Sequence, residues 1–280
     1  MSGRLANTYA HAFVTGASAG LGRAFVEMLL AEGVRVWGTA RDVGRLTDLA
    51  ARHPATFTAV ALDLGEPEAA EAAFLRAANS VGGSFDLLVN NAGYGVFGDF
   101  VETDFATWQG QLDRMLLTTM RLAHAALRGM RTRGRGCIVN VSSLATEFPL
   151  PFMSGYNVAK AGLSALSESL IFETRGSGIS VVDFRPGDYR TDFNQAMSSA
   201  SSAANVSHPK AQKAWHALER NLRAAPPPSR AADDLRRVLL RGRSGRVRSG
   251  GFFQAQLAPL LARVVPTSVA RAAAARYFDL

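Results

Sequence analysis

Ala12-Phe13-Val14-Thr15-Gly16-Ala17-Ser18-Ala19-Gly20-Leu21-Gly22 is the stretch that decides the fold. Four residues suited to a buried strand run straight into a glycine turn, and an amphipathic helical pattern opens behind it. Gly16 and Gly20 allow the backbone to turn tightly and come close to a pyrophosphate. Gly22 allows the helix to pack against the sheet, and the helix N-terminus then faces the anion. A glycine turn can also be a plain loop; its place between strand and helix gives it weight.

The same alternation continues outward from that turn. Further strands are expected at 34–37, 57–62, 86–89, 137–141 and 179–184, with helices at 21–32, 43–52, 66–82, 105–131 and 153–176. Near-continuous apolar strands between amphipathic helices read as a parallel sheet covered on both faces. The expected fold is a doubly wound α/β sheet with its ligand crevice at the carboxyl ends of the strands. A single domain over 1–280 is expected, with a core at 8–189, a lid at 190–228 and C-terminal helices at 229–280. Residues 190–228 are too long for an ordinary connection. A helix is expected to restart with Ser229 as N-cap, and Leu257, Leu260, Leu261, Val264 and Val265 trace an amphipathic helix stopped by Pro266.

Composition excludes several classes. A 48% hydrophobic, 19% charged chain of 280 residues is that of a globular protein. No run approaches the ~20 apolar residues of a membrane span. The N-terminal residues lack the apolar run of a signal peptide, and Cys137 is the single cysteine, so a cytoplasmic location and a buried, inert thiol are expected. The net charge of +8 owes much to Arg236, Arg237, Arg241, Arg243, Arg246 and Arg248. Such a run could meet nucleic acid or anionic lipid, but without interleaved aromatics or a nucleic-acid module it reads as solvated surface. No nucleic-acid partner and no metal are expected.

The chemistry lies in two further places. The second strand ends Gly38-Thr39-Ala40-Arg41, with no acid to hold a ribose 2′-hydroxyl and with a cation at the next position. Arg41 can grip a 2′-phosphate, with Ser18 and Arg23 in reach, so NADP(H) is the expected cofactor. Tyr156 and Lys160 are four residues apart, one helical turn, and share a face. The chain writes nearly every cation as Arg; only Lys160, Lys210 and Lys213 are lysines. A phenol beside an ammonium is expected to lose its proton more easily than an ordinary tyrosine.

Taken together, these motifs resemble those of the short-chain dehydrogenase/reductase family, the single-domain, Rossmann-type kind of about this length. Thr-Gly-x-x-x-Gly-x-Gly at 15–22 is similar to its cofactor turn, and Asn90-Asn91-Ala92-Gly93 to its Asn-Asn-Ala-Gly motif. Ser143 lies thirteen residues before Tyr156, as in the family's active site, and Pro186-Gly187 with Thr191 resembles the segment that meets the nicotinamide. The resemblance implies a catalytic trio of Ser143, Tyr156 and Lys160, with Tyr156 as acid/base. It implies cofactor contacts from Gly16, Ser18, Gly20, Leu21, Gly22, Arg41, Asp63, Asn90, Tyr156, Lys160, Pro186, Gly187 and Thr191. It further implies a homodimer or homotetramer packed through the helices near 105–131 and 153–176.

The chain departs from the family pattern at Met115, where an asparagine is common. Methionine cannot order by hydrogen bonding the water that passes protons to Lys160. The leading expectation is an NADPH-dependent reductase of ketones or aldehydes, or the reverse alcohol oxidation, on a mainly apolar small molecule. Substrate contacts are expected from Ser143, Tyr156, Phe193 and Met197; Phe193, Met197 and Trp215 suit an apolar lid or, equally, lid-to-core packing. The alternatives are a non-redox tailoring enzyme (a dehydratase or cyclase) on the same fold and an NADPH-binding sensor.

Overall fold

The structure is a computed structural model and describes residues 4–191, 197, 208–261 and 265–280. Strands β1 (His11–Val14), β2 (Arg35–Ala40), β3 (Phe57–Ala61), β4 (Leu87–Asn90), β5 (Gly136–Val141), β6 (Ile179–Pro186) and β7 (Gly245–Ser249) form one sheet. Its order is β3-β2-β1-β4-β5-β6-β7 and every pairing is parallel. The helices in chain order are α1 (Gly20–Ala31), α2 (Thr47–Arg52), α3 (Pro67–Asn79), α4 (Phe105–Leu112), α5 (Thr118–Arg133) and α6 (Ser154–Glu173). They continue with α7 (Pro209–Arg223), α8 (Pro228–Arg241), α9 (Ala258–Leu261) and α10 (Thr267–Tyr277). A π-helical turn, Asp113–Leu117, joins α4 to α5, and a second, Phe253–Leu257, leads into α9.

Alternate strand residues face opposite layers. Val14, Val139 and Val182 pack with Phe25 and Leu29 of α1 and Leu235 of α8. Phe13, Ile138 and Val181 pack on the other face with Phe74 of α3, Leu122 and Met130 of α5 and Leu170 of α6. A third cluster lies above the carboxyl end of the sheet, where Ala211, Ala214 and Leu218 of α7 meet Phe97, Met153, Met197 and Phe278. Cys137 is buried, and burial pushes its thiol up to about 11.

Three expectations change. The arginine-rich run is not simply solvated surface: Gly245–Ser249 is the seventh strand, with Arg246 paired to Glu168 and Arg248 to Glu147. The helix near Ser229 begins at Pro228, with Pro227 at its N-cap, because proline's fixed φ suits the first helical position. Within 190–228, residues 209–223 form α7.

The turn after β1 places the site. Gly16 and Gly20 have φ of +70° and +54°, the left-handed region that favours glycine. A Cβ on Gly22 would stand 2.1 Å from the Gly16 carbonyl oxygen and 2.4 Å from Asn91 Nδ2. Gly22→Ala is therefore expected to cost upward of about 2 kcal/mol. Gly251, whose Cβ would have nothing within 4 Å, serves as the control. Urea unfolding checks both; equal midpoints would remove the steric argument.

Candidate active site

Strand ends and helix starts converge on one cleft of about 1670 Å³. The glycine turn forms one end. Gly16 N donates to Thr39 Oγ1 (3.3 Å) and Ala17 N to Thr39 O (2.8 Å), which ties the turn to β2. Thr15 Oγ1 accepts from Asn91 N (2.9 Å) and Ala92 N (3.0 Å), which ties it to the segment after β4. Ala19, the N-cap of α1, offers no side-chain hydrogen bond to the helix's first amides, and an anion can take that place. A Cβ on Gly16 would fall 2.9 Å from Ala92 Cα, and one on Gly20 would fall 3.3 Å from Thr191 Cβ. The chain thus leaves a side-chain-free cradle under a helix N-terminus, and these residues fit a dinucleotide pyrophosphate.

Gly16, Ser18, Gly20, Leu21, Gly22, Arg41, Asp63, Pro186, Gly187 and Thr191 all line the cleft. Asn90 does not. It is buried at the end of β4, where its Nδ2 donates to Asn140 Oδ1 (2.9 Å). Asn91 is the cleft residue, with Nδ2 3.0 Å from Thr15 O. Side chains alternate about the strand end, so one position changes which way an asparagine faces. Arg23 is also displaced from its expected place, because its guanidinium is held by Asp48 and Glu27 on the helix surface. Arg45, which the sequence did not single out, lines the cleft with Arg41.

At the other end stand Ser143, Tyr156 and Lys160. Ser143 follows β5, and its Oγ accepts the Ala145 amide at 3.0 Å. That contact leaves the hydroxyl proton to point elsewhere, and a Ser143 hydrogen bond acts on the Tyr156 phenol. Lys160 is buried on α6, and its Nζ donates to Val141 O at 2.7 Å, 5.7 Å from the Tyr156 ring centre. Burial pulls the Lys160 ammonium down to about 8, with Asp183 acting in the opposite sense. Tyr156 is raised above the usual phenol value: burial is the largest cause, the Ser143 bond opposes it, and the Asp188 charge adds to it. The expected lowering is therefore not what the protein's own groups produce. Desolvation outweighs it, and at neutral pH the phenol keeps its proton.

A buried polar chain lies behind the trio. Asp183, fully buried, accepts from Ser142 Oγ, from Ser164 Oγ at 2.7 Å and from Arg185 Nε at 2.7 Å. Arg185 continues to Glu147 (2.7 Å), which also receives Arg248 (2.8 Å). Single polar residues inside apolar strands carried no signal in the sequence. Met115 lies in the π-helical turn beside the lysine: its Cε and Lys160 Nζ stand 3.2 Å and 3.7 Å from the same point, a Cβ built on Gly93. Thr118 Oγ1 is engaged with Leu64 O and Asp113 O.

The remaining wall of the cleft is apolar, with Leu150, Met153, Leu218, Leu222, Phe253 and Ala274 among its residues. Met197 is not among them; it is buried in the cluster with Phe97, Met153 and Leu218. Trp215 stacks edge-on against Phe97 at 5.1 Å and is likewise packing. Phe193 lies outside the described residues. Asp188, directly after Pro186-Gly187, accepts from Gln254 Nε2 (2.6 Å) and Tyr277 OH (3.2 Å), which latches the C-terminal helix to the site.

Residues 10–202 match the short chain dehydrogenase family, and the chain belongs to it. It is 32% identical over 197 residues to a 3-oxoacyl-[acyl-carrier-protein] reductase of Vibrio harveyi, covering 70% of this chain and 80% of that one. A short-chain dehydrogenase structure from Streptomyces avermitilis superposes with TM-score 0.78 at 30% identity, covering 95% of this chain and 97% of the other. One from Sphingobium yanoikuyae, in complex with NADPH, gives 0.70 at 26% identity, covering 85% and 86%. The family is one of oxidoreductases that bind a nicotinamide cofactor.

The Lys160 shift makes a stability prediction. Its folded value of about 8 lies below the ordinary 10.5, so between those pH values the unfolded chain holds the extra proton. Stability contributed by this site therefore rises with pH across that window, by roughly 3 kcal/mol at about 1.4 kcal/mol per unit. Relative to Lys160→Met, the wild type is expected to gain that amount between pH 7.5 and 10 in urea unfolding. Parallel pH trends in the two proteins would exclude a depressed lysine.

Proposed function

We propose that this protein is an NADPH-dependent reductase of ketones or aldehydes on a mainly apolar small molecule, running the reverse alcohol oxidation when the cofactor is oxidised. One observation carries the reading: Ser143, Tyr156 and Lys160 line one end of a cleft whose other end is the side-chain-free glycine turn beside Arg41. The cofactor supplies a hydride to the carbonyl carbon. Ser143 holds the carbonyl oxygen with its hydroxyl, whose lone pair is already engaged by the Ala145 amide. Tyr156, kept protonated by burial, delivers the proton to that oxygen. Lys160 places its positive charge beside the resulting phenolate, held by Val141 O. Residues 190–228 act as the substrate lid, and the apolar wall excludes water from the reacting atoms.

Arg41 and Arg45 support the choice of NADPH: both line the cleft at the end of β2, and no ion pair holds either of them among the described residues. Exposed Leu117, Met120, Val158 and Phe172 on the long helices support a homodimer or homotetramer. Buried Cys137 is compatible with the proposed cytoplasmic location. A second reading, a non-redox tailoring enzyme on the same fold, draws on Met115, whose thioether beside Lys160 orders no water.

Loss of NADPH absorbance with a panel of carbonyl compounds separates the two readings. Tyr156→Phe is expected to lower turnover by on the order of 10²–10⁴ with little change in cofactor affinity. Unchanged turnover would exclude Tyr156 as the acid. Arg41→Asp is expected to weaken NADPH by on the order of 100-fold and to spare NADH. Arg45→Ala should act in the same direction by less. Equal losses for the two cofactors would sink the 2′-phosphate assignment.

A further inference from the structure

The basic, amphipathic C-terminal region has no part in hydride or proton transfer. From Leu235 to Phe278 the chain holds nine arginines and no acidic residue, which accounts for the whole net charge of +8. Near β7 the excess is answered in part: Arg236 meets Glu32, Arg237 meets Asp234, Arg246 meets Glu168 and Arg248 meets Glu147, while Arg241 and Arg243 stay exposed without an ion pair among the described residues. Over the cleft it is not. Arg271 and Arg276 of α10 and Lys210 and Lys213 of α7 are exposed and make no ion pair among the described residues. These two helices belong to one layer, since Phe278 packs with Ala211, Ala214 and Leu218, and Arg220 reaches Asp279 at 3.0 Å.

The same layer exposes large apolar side chains. Phe252 is 67% exposed, Leu260 58% and Val269 52%, and none of the three lines the cleft. Phe253, 59% exposed, stands at the cleft rim between them and the interior. Phe253, Leu257 and Leu260 follow one another at four and three residues, a spacing that keeps them on one side of the π-turn and α9. No helix among the described residues is long and apolar enough to cross a membrane.

Unburied apolar side chains beside Lys210, Lys213, Arg271 and Arg276, which carry no ion pair among the described residues, fit one kind of partner. We propose that this layer docks the enzyme on an anionic phospholipid surface. Phe252, Leu260 and Val269 enter the boundary between headgroups and acyl chains, and Lys210, Lys213 and Arg271 meet the phosphates. A second copy docked on the same face would set Lys210, Lys213, Arg271 and Arg276 against their own like charges, with Glu219 and Asp279 the few acids nearby. An acidic protein would satisfy the cations and leave the apolar side chains without a partner. Docking sets the cleft mouth, rimmed by Phe253, against the bilayer. On the reduction reading above, an apolar carbonyl compound then reaches Tyr156 from lipid; docking itself does not depend on that reading.

Co-sedimentation of the full chain with vesicles tests the proposal without any turnover readout. Phosphatidylcholine vesicles are compared with vesicles containing about a quarter phosphatidylglycerol, at low salt and at ~0.5 M salt, where screening is short-ranged. The chain is expected to pellet with the anionic vesicles only and to be released several-fold by salt. Phe252→Ser combined with Leu260→Ser and Val269→Ser, and separately Arg271→Glu, should each cut the bound fraction by about fivefold at an unchanged thermal midpoint. If the triple variant fails to fold, Val269→Ser and Arg271→Glu decide alone. Absent or charge-independent vesicle binding would overturn the proposal. So would full binding by the folded variants, or variants that dissociate an oligomer while keeping their affinity for lipid.

Discussion

Burying the Lys160 ammonium is the condition around which the rest of the site is arranged. A cation removed from water needs oxygen close by and negative charge not far off. Val141 O at the end of β5 supplies the first and Asp183 on β6 the second. The register Asn140↔Asp183 and Val141↔Phe184 sets these groups side by side at the carboxyl end of the sheet, and α6 must lie across that end to reach them. Asp183 is itself buried and needs partners, which Ser142, Ser164 and Arg185 provide. Arg185 in turn needs Glu147, and Glu147 draws Arg248 in from β7. One buried charge thus propagates a line of compensation across three strands, and the loop carrying Ser143 is fixed along it.

How much of this was legible follows from how far apart the cooperating residues are in the chain. The glycine turn and the Tyr156–Lys160 pair each sit within one turn or one helix, so local spacing reveals them. The Arg248–Glu147 contact joins residues 101 apart and leaves no trace in local pattern. The other six strands stand out as apolar runs. Gly245-Arg246-Val247-Arg248-Ser249 offers a single large apolar residue, and its arginines find partners only once β6 and α6 are in place. Asn90 and Asn91 show the limit of a motif: the dipeptide marks the turn, but the end of β4 decides that the first faces Asn140 and the second the cleft. Arg23 leaves its expected place in part for a similar reason: Asp48 reaches it only when α1 and α2 lie together, while Glu27 holds it one turn along the same helix.

The substrate half is less legible because its packing relies on small residues. Helix α7 buries Ala211, Ala214, Ala217 and Leu218, a clearly one-sided face whose small alanines do not stand out as an apolar run. By sequence Met197, outside that helix, and Trp215 on it suit pocket lining and packing equally; both sit in the cluster with Phe97 and Met153. The wall that faces the cleft comes from Leu150, Met153, Leu218 and Leu222, and from C-terminal residues folded over the site more than a hundred positions later. The Asp188–Gln254–Tyr277 latch gives that fold-back a definite register against the active site.

Met115 then takes on a physical meaning that spacing alone did not supply. An asparagine amide could hydrogen-bond a water for Lys160, and a thioether cannot; burial brings the ammonium to about 8. At pH 7 such a group is still protonated about nine times in ten, yet it holds its proton far less tightly than an exposed lysine. The raised phenol beside it holds its own proton more tightly than an exposed tyrosine. Both shifts have one cause, burial in the same floor, and they move in opposite directions because one group is charged when protonated and the other when deprotonated. A phenolate at Tyr156 therefore faces an ammonium more acidic than an ordinary lysine's. Passing a proton from Lys160 to that phenolate runs downhill rather than against the ordinary order of lysine and phenol.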